Sequence, residues 1–196
     1  MLLKKILTFT TATEKFYIKH ANIQVILKTL LEIPQTFQYN IFRVRILKGC
    51  AIMNIQLLEK KKLVLTQEAY NVYQQCMYKP DYNTYIRKIN DYFNDKNTKI
   101  FISLNEDKIV GMLVLTINGD NSAEIIGIAV RNSFQKQGIG SFMVKESANK
   151  MNLHKVLAET DDDAVGFYKN MGFDITKEVK HYDNGCVDRY HCLLTL

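Results

Sequence analysis

The sequence predicts an α/β (α+β) domain in which a mixed, mostly antiparallel sheet of about seven strands is flanked by helices on both faces. Two observations lead to this fold class. Between residues 99 and 130, β-rich apolar runs follow one another through short polar turns, which is typical of an antiparallel meander. After residue 130, helical and β-rich segments alternate, which indicates strands joined through helices.

The elements before the meander are a strand and two helices. A short strand is predicted over 54–58, followed by a solvated charged run over 59–62. Apolar residues at helical spacing predict helices over 66–77 and 81–93, and Pro80 separates the two.

The meander and the carboxyl-terminal half supply the other strands. Strands are predicted over 99–104, 109–117 and 123–130. A helix over 138–151, a strand over 155–159 and a helix over 163–171 follow, before two final strands over 174–179 and 187–194.

Composition excludes several classes of protein. The chain has 196 residues, 47% of them apolar, with only 9 glycines and 2 prolines, so a disordered, collagen-like or low-complexity chain is excluded. No run approaches the roughly 20 consecutive apolar residues that a membrane span needs. Four widely spaced cysteines without a CxxC pair or a secretory leader argue against a disulfide scaffold and predict a cytoplasmic protein.

The net charge of +6 is confined to one segment. Residues 1–52 carry eight basic and two acidic residues, whereas residues 53–196 balance at 18 and 18. We therefore expect a basic amino-terminal extension over 1–52 and the functional domain over 53–196. The neutral domain argues against nucleic acid or a membrane as its partner.

The extension has three interpretations. Lys48-Gly49 must be encoded by AARGGN, which resembles a bacterial ribosome-binding site three codons before Met53, so Met53 is a candidate native start. The alternatives are a basic arm that binds nucleic acid or lipid, and a helical appendage packed on the domain.

A glycine-bearing turn lies between the strand that ends at Val130 and the next helix. Gly138 and Gly140 open that helix, whose first backbone N–H groups lack intrahelical partners and suit a pyrophosphate. An ordinary tight turn is the alternative, and no GxxxxGK[ST] or GxGxxG motif is present.

Two segments in the right order resemble the GNAT acetyltransferase superfamily. Gln135-x-x-Gly138-x-Gly140 after an apolar strand is similar to its Q/R-x-x-G-x-G/A signature, and the segment 164–173 resembles its A-x-x-x-Y-x-x-x-G-F element. The resemblance covers roughly 54–194. Asn132, Lys136 and Asp161 depart from the common pattern.

The resemblance implies a sheet splayed at the cofactor strand and acetyl-CoA as cosubstrate, with no metal. The pyrophosphate would lie on the backbone of 137–141, and the pantetheine would pair with 128–130, where the strand leaves its neighbour after Gly127. The expected cofactor-binding residues are Ile128, Ala129, Val130, Gln135, Lys136, Gln137, Gly138, Ile139, Gly140, Ser141 and Asp161.

Two catalytic residues follow from the same resemblance. Tyr168 matches the tyrosine of the second element and is the candidate acid for the departing thiolate; a tyrosine merely packed on a helix face is the alternative. Glu124 is the candidate base, directly or through water, because 123–126 looks like the A-E-I-V element of the histone acetyltransferase branch. Apolar neighbours such as Ile126 would make this carboxylate a stronger base. The alternative is a solvated glutamate at a strand start.

The implied activity is direct acetyl transfer to a primary amine of a small molecule or a protein, with a homodimer as one option for the assembly. A CoA-binding module without turnover and a nucleic-acid-binding protein are the competing classes. The carboxylates of 161–163 could suggest a metal, but before a helix they more often cap it. The acceptor amine has no interpretable motif.

Overall fold

An eight-stranded mixed sheet forms the centre of the computed structural model, with the strand order β1-β2-β3-β4-β5-β6-β8-β7. The structure describes residues 42–48, 51–182 and 185–196, without the side chains of 42–48, 51–54 and 182. These residues belong to one unit, Asn40–Leu196. No helix among the described residues is long and apolar enough to cross a membrane.

The strands and helices have the following bounds. The strands are β1 Phe42–Lys48, β2 Ala51–Leu58, β3 Thr98–Asn105, β4 Lys108–Asn118, β5 Ser122–Val130, β6 Lys155–Thr160, β7 Asp174–Tyr182 and β8 Gly185–Thr195. The α-helices are α1 Lys61–Val64, α2 Gln67–Tyr73, α3 Tyr82–Asn94, α4 Ile139–Lys150 and α5 Val165–Asn170. Short 3-10 turns occupy Gln74–Cys76 and Asn132–Phe134.

The predicted fold class is confirmed, and all seven predicted strands are present. The additional strand is β1, which pairs antiparallel with β2. β2 begins before the expected domain boundary and runs across residues 52 and 53. Of the expected extension, residues 1–41, 49 and 50 lie outside the described residues, so its origin stays a prediction.

The helical segment before the meander differs in detail from the prediction. Residues 59–62 are exposed, as predicted, but Lys61 also begins α1, which was not predicted and forms because Val64, three residues later, is fully buried. The Thr66 hydroxyl accepts a hydrogen bond from Ala69 N and begins α2. α3 begins at the Asp81 cap, where Oδ2 accepts from Thr84 N at 2.7 Å.

The sheet has a hydrophobic core on each face. On one face, which we call the α4 face, side chains such as Phe101, Leu113 and Met143 form one cluster. On the opposite face, the α2 face, α2 and α3 pack Val72 and Tyr85 against Met112 and its neighbours in a second cluster. Burial of these two clusters on opposite faces holds the helices on either side of the sheet.

β5 and β6 separate partway along their length. Their parallel pairing extends only from Ser122↔Lys155 to Ile125↔Ala158. At the same level the β4–β5 register shifts by one residue, which leaves Ile126 as a bulge. Beyond it, 127–130 pairs with β4 alone and 159–160 with β8 alone. We call this opening the fork; it confirms the predicted splay, two residues earlier than expected.

Candidate active site

A cleft of about 620 Å³ lies on the open side of β5, between the beginning of α4 and α5. Its walls are Ile128, Ala129, Val130, Phe134, Gln135, Lys136, Gly138, Ile139, Gly140, Ser141, Asp163, Ala164, Phe167, Tyr168 and Asn170. The cleft therefore brings together the two segments that the sequence analysis singled out. Of the expected cofactor residues, only Gln137 and Asp161 are absent from its walls.

Unpaired backbone donors open α4. Gly138 caps this helix in the left-handed conformation, with φ of +82°, which a residue with a Cβ adopts only with strain. The first helical hydrogen bond runs from Phe142 N to Gly138 O at 2.9 Å. The N–H groups of 139–141 precede this bond, so the helix presents free donors and the positive end of its dipole at the cleft wall.

Gly140 allows α4 and α5 to approach each other closely. A Cβ at residue 140 would lie 2.9 Å from Phe167 Cε2 and 3.2 Å from its Cζ. The Phe167 ring therefore occupies the space that any other residue at position 140 would fill. Phe167 both packs against the core cluster of the α4 face and lies on the cleft wall.

The side chain of Gln135 braces the loop that leads into α4. Its Nε2 lies 3.0 Å from Val130 O, 3.1 Å from Asn132 Oδ1 and 3.1 Å from Gln75 Oε1. Gln137 donates likewise from Nε2 to Ser133 O at 3.0 Å. The amides of both glutamines are thus engaged with the protein, so they shape the loop and leave contact with a ligand to the backbone.

Arg131 anchors the start of the same loop to α2. Its Nη2 lies 2.9 Å from Glu68 Oε1, and its Nε donates to Ile109 O at 2.8 Å. Glu68 Oε1 also accepts from Ile109 N. This network fixes the end of β5 against the beginning of β4, so the loop leaves the sheet in a defined direction.

Tyr168 lies on the cleft wall and is almost completely buried, with 4% of its surface exposed. Burial raises the pKa of its hydroxyl above the ordinary value, and Cys192, Cys76 and Asp161 add to the shift. Phe167 and Phe173 hold the ring edge-on, with centroids 5.0 and 5.2 Å away. The hydroxyl forms no hydrogen bond with any described residue, so it is a protonated donor available to a ligand.

Glu124 lies apart from Tyr168, on the α2 face of the sheet. It pairs in register with Thr116 on β4 and Leu157 on β6, below the fork, and it is not part of the cleft wall. The apolar surroundings expected for it are absent, because Glu124 is exposed and Ile126 is 42% exposed. No described residue forms a hydrogen bond with its carboxylate.

The carboxylates of 161–163 have three separate environments. Asp161 Oδ1 accepts from Ala164 N at 3.3 Å before α5, and Asp162 Oδ1 accepts from the Tyr190 hydroxyl at 2.6 Å. Asp163 lines the cleft. Among the described residues, no three His, Cys, Asp or Glu side chains form a group that could hold a metal ion.

Five residues of the cleft wall were not among the predicted site residues: Phe134, Asp163, Ala164, Phe167 and Asn170. Ala164, Phe167 and Asn170 lie within the second motif, so their nearness to Tyr168 along the chain was the signal that could have found them. Phe134 carries no such signal.

Comparison with known proteins agrees with this geometry. Residues 66–173 match the Acetyltransferase (GNAT) family. The chain belongs to this family, as the resemblance implied, and it is an N-acetyltransferase.

Solved structures of the family share the fold. A GNAT acetyltransferase from Elizabethkingia anophelis with acetyl-CoA bound is 22% identical, with a TM-score of 0.54 over 72% of this chain and 98% of that chain. The ribosomal-protein-S18-alanine N-acetyltransferase from Escherichia coli is 16% identical, with a TM-score of 0.56 over 72% and 93%. A spermidine/spermine N-acetyltransferase from Vibrio cholerae is 19% identical, with a TM-score of 0.56 over 72% and 92%. At these identities the likeness is one of fold.

Proposed function

We propose that this chain transfers an acetyl group from acetyl-CoA directly to a primary amine of a small molecule or a protein. The observation that carries the proposal is the Tyr168 hydroxyl, protonated and without a partner among the described residues, in the same cleft as the free N–H groups that open α4. One neighbour of the same fold holds acetyl-CoA, which supports the choice of cosubstrate.

The cleft fits this cosubstrate in two places. The donors of 139–141 suit a pyrophosphate, which the helix dipole favours without a basic patch. The edge of 128–130 that faces away from β4 is unpaired with β6, so a pantetheine arm can lie along it in place of a neighbouring strand. Lys136 lies on the same wall and adds a positive charge.

Tyr168 is the proposed acid. When bound, acetyl-CoA supplies an acetyl group activated as a thioester. In the transfer, the amine nitrogen forms a bond to the acetyl carbon, the carbon–sulfur bond breaks, the amine loses a proton and the sulfur gains one. Because its raised pKa keeps the Tyr168 hydroxyl protonated at neutral pH, it donates a hydrogen bond to the sulfur as negative charge develops there.

Glu124 is the proposed base, acting through water. Its place on β5 below the fork, outside the cleft wall, leaves room for solvent between the carboxylate and an amine at the fork. A water held by Glu124 would take the proton from the amine and pass one of its own protons to the carboxylate.

A thiol-release assay with a panel of primary amines tests the proposal, together with calorimetric titration of acetyl-CoA. We expect acetyl-CoA to bind and at least one amine to be acetylated. Tyr168→Phe should lower kcat by about 10²-fold, a usual size for general acid catalysis, and leave acetyl-CoA affinity within a factor of about two. Tyr82→Phe, which removes a hydroxyl outside the cleft wall, should change neither quantity.

Two other outcomes distinguish the competing classes. Acetyl-CoA binding with unchanged low activity in Tyr168→Phe would indicate a CoA-binding module. Salt-dependent nucleic-acid binding by residues 1–196 that residues 53–196 lack would indicate a role for the basic segment.

The remaining proposals concern the cell and the assembly. Cys76, Cys186 and Cys192 are free thiols in the described part of the chain, which supports a reducing, cytoplasmic location. We also propose that the protein forms a homodimer and that catalysis uses no metal ion.

A further inference from the structure

One arginine at the fork has only a long ion pair, with Glu159, among the described residues. Arg189 lies on β8, and its Nε is buried without a hydrogen-bond partner among the described residues. The nearest carboxylate oxygen, Glu159 Oε1, is 3.9 Å from that nitrogen, which is too far for a hydrogen bond. A buried charged donor left unpaired is costly, and in a native structure it calls for a missing partner.

Both carboxylates beside Arg189 are occupied by other cations. Glu159 Oε2 lies 2.7 Å from Lys180 Nζ. Glu178, which faces Arg189 directly across the β7–β8 pair, lies 2.6 Å from His191 Nε2 instead. The Arg189 Nε therefore has no carboxylate within hydrogen-bond distance among the described residues, and a third of the Arg189 side chain is open to solvent, at 32% exposure.

The sheet register places Arg189 at the level where acetyl transfer is proposed. Ile125 on β5 pairs with Ala158 on β6, and Thr160, two residues further along β6, pairs with Tyr190 on β8. Ile128 is three residues beyond Ile125 and therefore lies level with the end of β6. Arg189, next to Tyr190, lies at the same level on β8. The two residues are separated by the fork and by β6, so Arg189 lies on the far side of the fork from the cosubstrate strand.

Arg189 also points to the correct side of the sheet. Ala158 and Cys192 are buried in the cluster on the α4 face, so alternation directs Glu159, His191 and Arg189 to the α2 face. The cosubstrate cleft is walled by α4 and α5, so an acceptor amine must approach the fork from the opposite side. Exposed Ile126 and Leu193 show that this part of the α2 face is open.

We propose that the acceptor carries a carboxylate as well as its amine, as an amino acid does, and that Arg189 binds this carboxylate while the amine lies at the fork. The planar guanidinium forms two parallel hydrogen bonds with a carboxylate, which orients the acceptor as well as holding it. This inference rests on the proposed function and assigns the substrate class of the same site.

Pairs of amines that differ only by a carboxylate test the inference. We would compare tyrosine with tyramine, ornithine with putrescine, lysine with cadaverine and β-alanine with ethylamine, using kcat/KM from thiol release. The best acceptor of the eight should carry a carboxylate and exceed its partner by about 10- to 100-fold, the usual effect of hydrogen bonds to a charged group. Arg189→Gln should abolish that preference while leaving the carboxylate-free member within about twofold.

Two further variants separate binding from structure. Arg189→Lys keeps the charge but loses the paired geometry, so it should recover part of the preference. Lys177→Gln removes a cation that contacts Asp188 on the α4 face of the neighbouring strand, and it should keep the full preference. If Arg189→Gln lowered kcat/KM equally for both members of a pair, Arg189 would have a structural role and the inference would be overturned. A best acceptor without a carboxylate would also overturn it.

A binding measurement keeps the two proposals distinguishable. If none of the eight amines is acetylated, each is titrated calorimetrically into the protein saturated with CoA. Binding of the carboxylate-bearing members that Arg189→Gln removes would support the inference although transfer had failed. No binding by any carboxylate-bearing member would overturn it.

Discussion

The Tyr73 hydroxyl lies directly over Gly127, at the residue that follows the bulge of β5. A Cβ at residue 127 would overlap Tyr73 Oη and would lie 2.7 Å from Cζ. The absence of a side chain at 127 therefore lets α2 approach the sheet at the fork, where β5 leaves β6. Burial raises the pKa of the Tyr73 hydroxyl well above its ordinary value, so this group is neutral where the two strands separate.

Gly127→Ala should destabilise the domain. The added methyl cannot be accommodated without moving the Tyr73 ring, and such overpacking costs about 1–3 kcal/mol of the free energy of unfolding. Urea denaturation would measure the loss. Tyr73→Phe in the Gly127→Ala background should recover part of it, because the hydroxyl is the nearest obstacle.

Gly119→Ala is the matched control, since a Cβ there meets no atom within 4 Å. Its free energy of unfolding should stay within about 0.5 kcal/mol of the wild type. A Gly127→Ala variant as stable as Gly119→Ala would contradict the close contact.

Gly140→Ala should weaken acetyl-CoA binding and lower stability by about 1–3 kcal/mol. A Cβ at 140 would push Phe167 and thereby move α5, which carries Tyr168, relative to the donors of α4. Calorimetry with acetyl-CoA and thermal unfolding measure the two effects. Gly166→Ala has open space around the new methyl, so both quantities should stay near their wild-type values.

Glu124→Gln should change the pH profile of kcat/KM. If Glu124 accepts the proton through water, its loss should lower kcat/KM by about 10²-fold and change how kcat/KM depends on pH, because the proton acceptor has been removed. Glu106→Gln, in the turn between β3 and β4, should leave the profile intact. An unchanged profile in Glu124→Gln would assign the base to solvent water.

Asp81 should make stability depend on pH in the acid range. Hydrogen bonds from Thr84 hold the pKa of this carboxyl below its ordinary value of 3.8. A lowered folded-state pKa stabilises the protein above the unfolded value, and this contribution is lost as the pH falls through the folded-state pKa. Urea unfolding at pH 7 and pH 3 should show a larger loss for the wild type than for Asp81→Asn, whose amide caps α3 without titrating. Equal losses of stability in the wild type and in Asp81→Asn would show that the Asp81 carboxylate does not cause the dependence on pH.

Local patterns allowed most of the fold to be predicted. The two motifs, the turns of the meander and Pro80 each act over a few residues, so their effect is visible in a single stretch of chain. The prediction did not include α1, which depends on the burial of Val64, or β1. Short elements such as these depend on packing partners far away in sequence.

The candidate site divides in the same way. Local sequence indicated Gly138, Gly140 and Tyr168, because the helix start and the second motif are continuous segments. The environment of Glu124 could not be predicted, because its exposure depends on the open α2 face around the fork. Phe167 also needed the structure, since its contact with residue 140 joins two different helices.

The sequence by itself determined the family, the cosubstrate turn at the start of α4 and the identity of the candidate acid. These features are local, because a helix presents its free N–H groups wherever it begins. Only the tertiary structure decided that Glu159 and Glu178 engage Lys180 and His191 and leave Arg189 at the fork. Strand register sets such cross-strand neighbours, and register depends on how distant strands bury their alternate side chains.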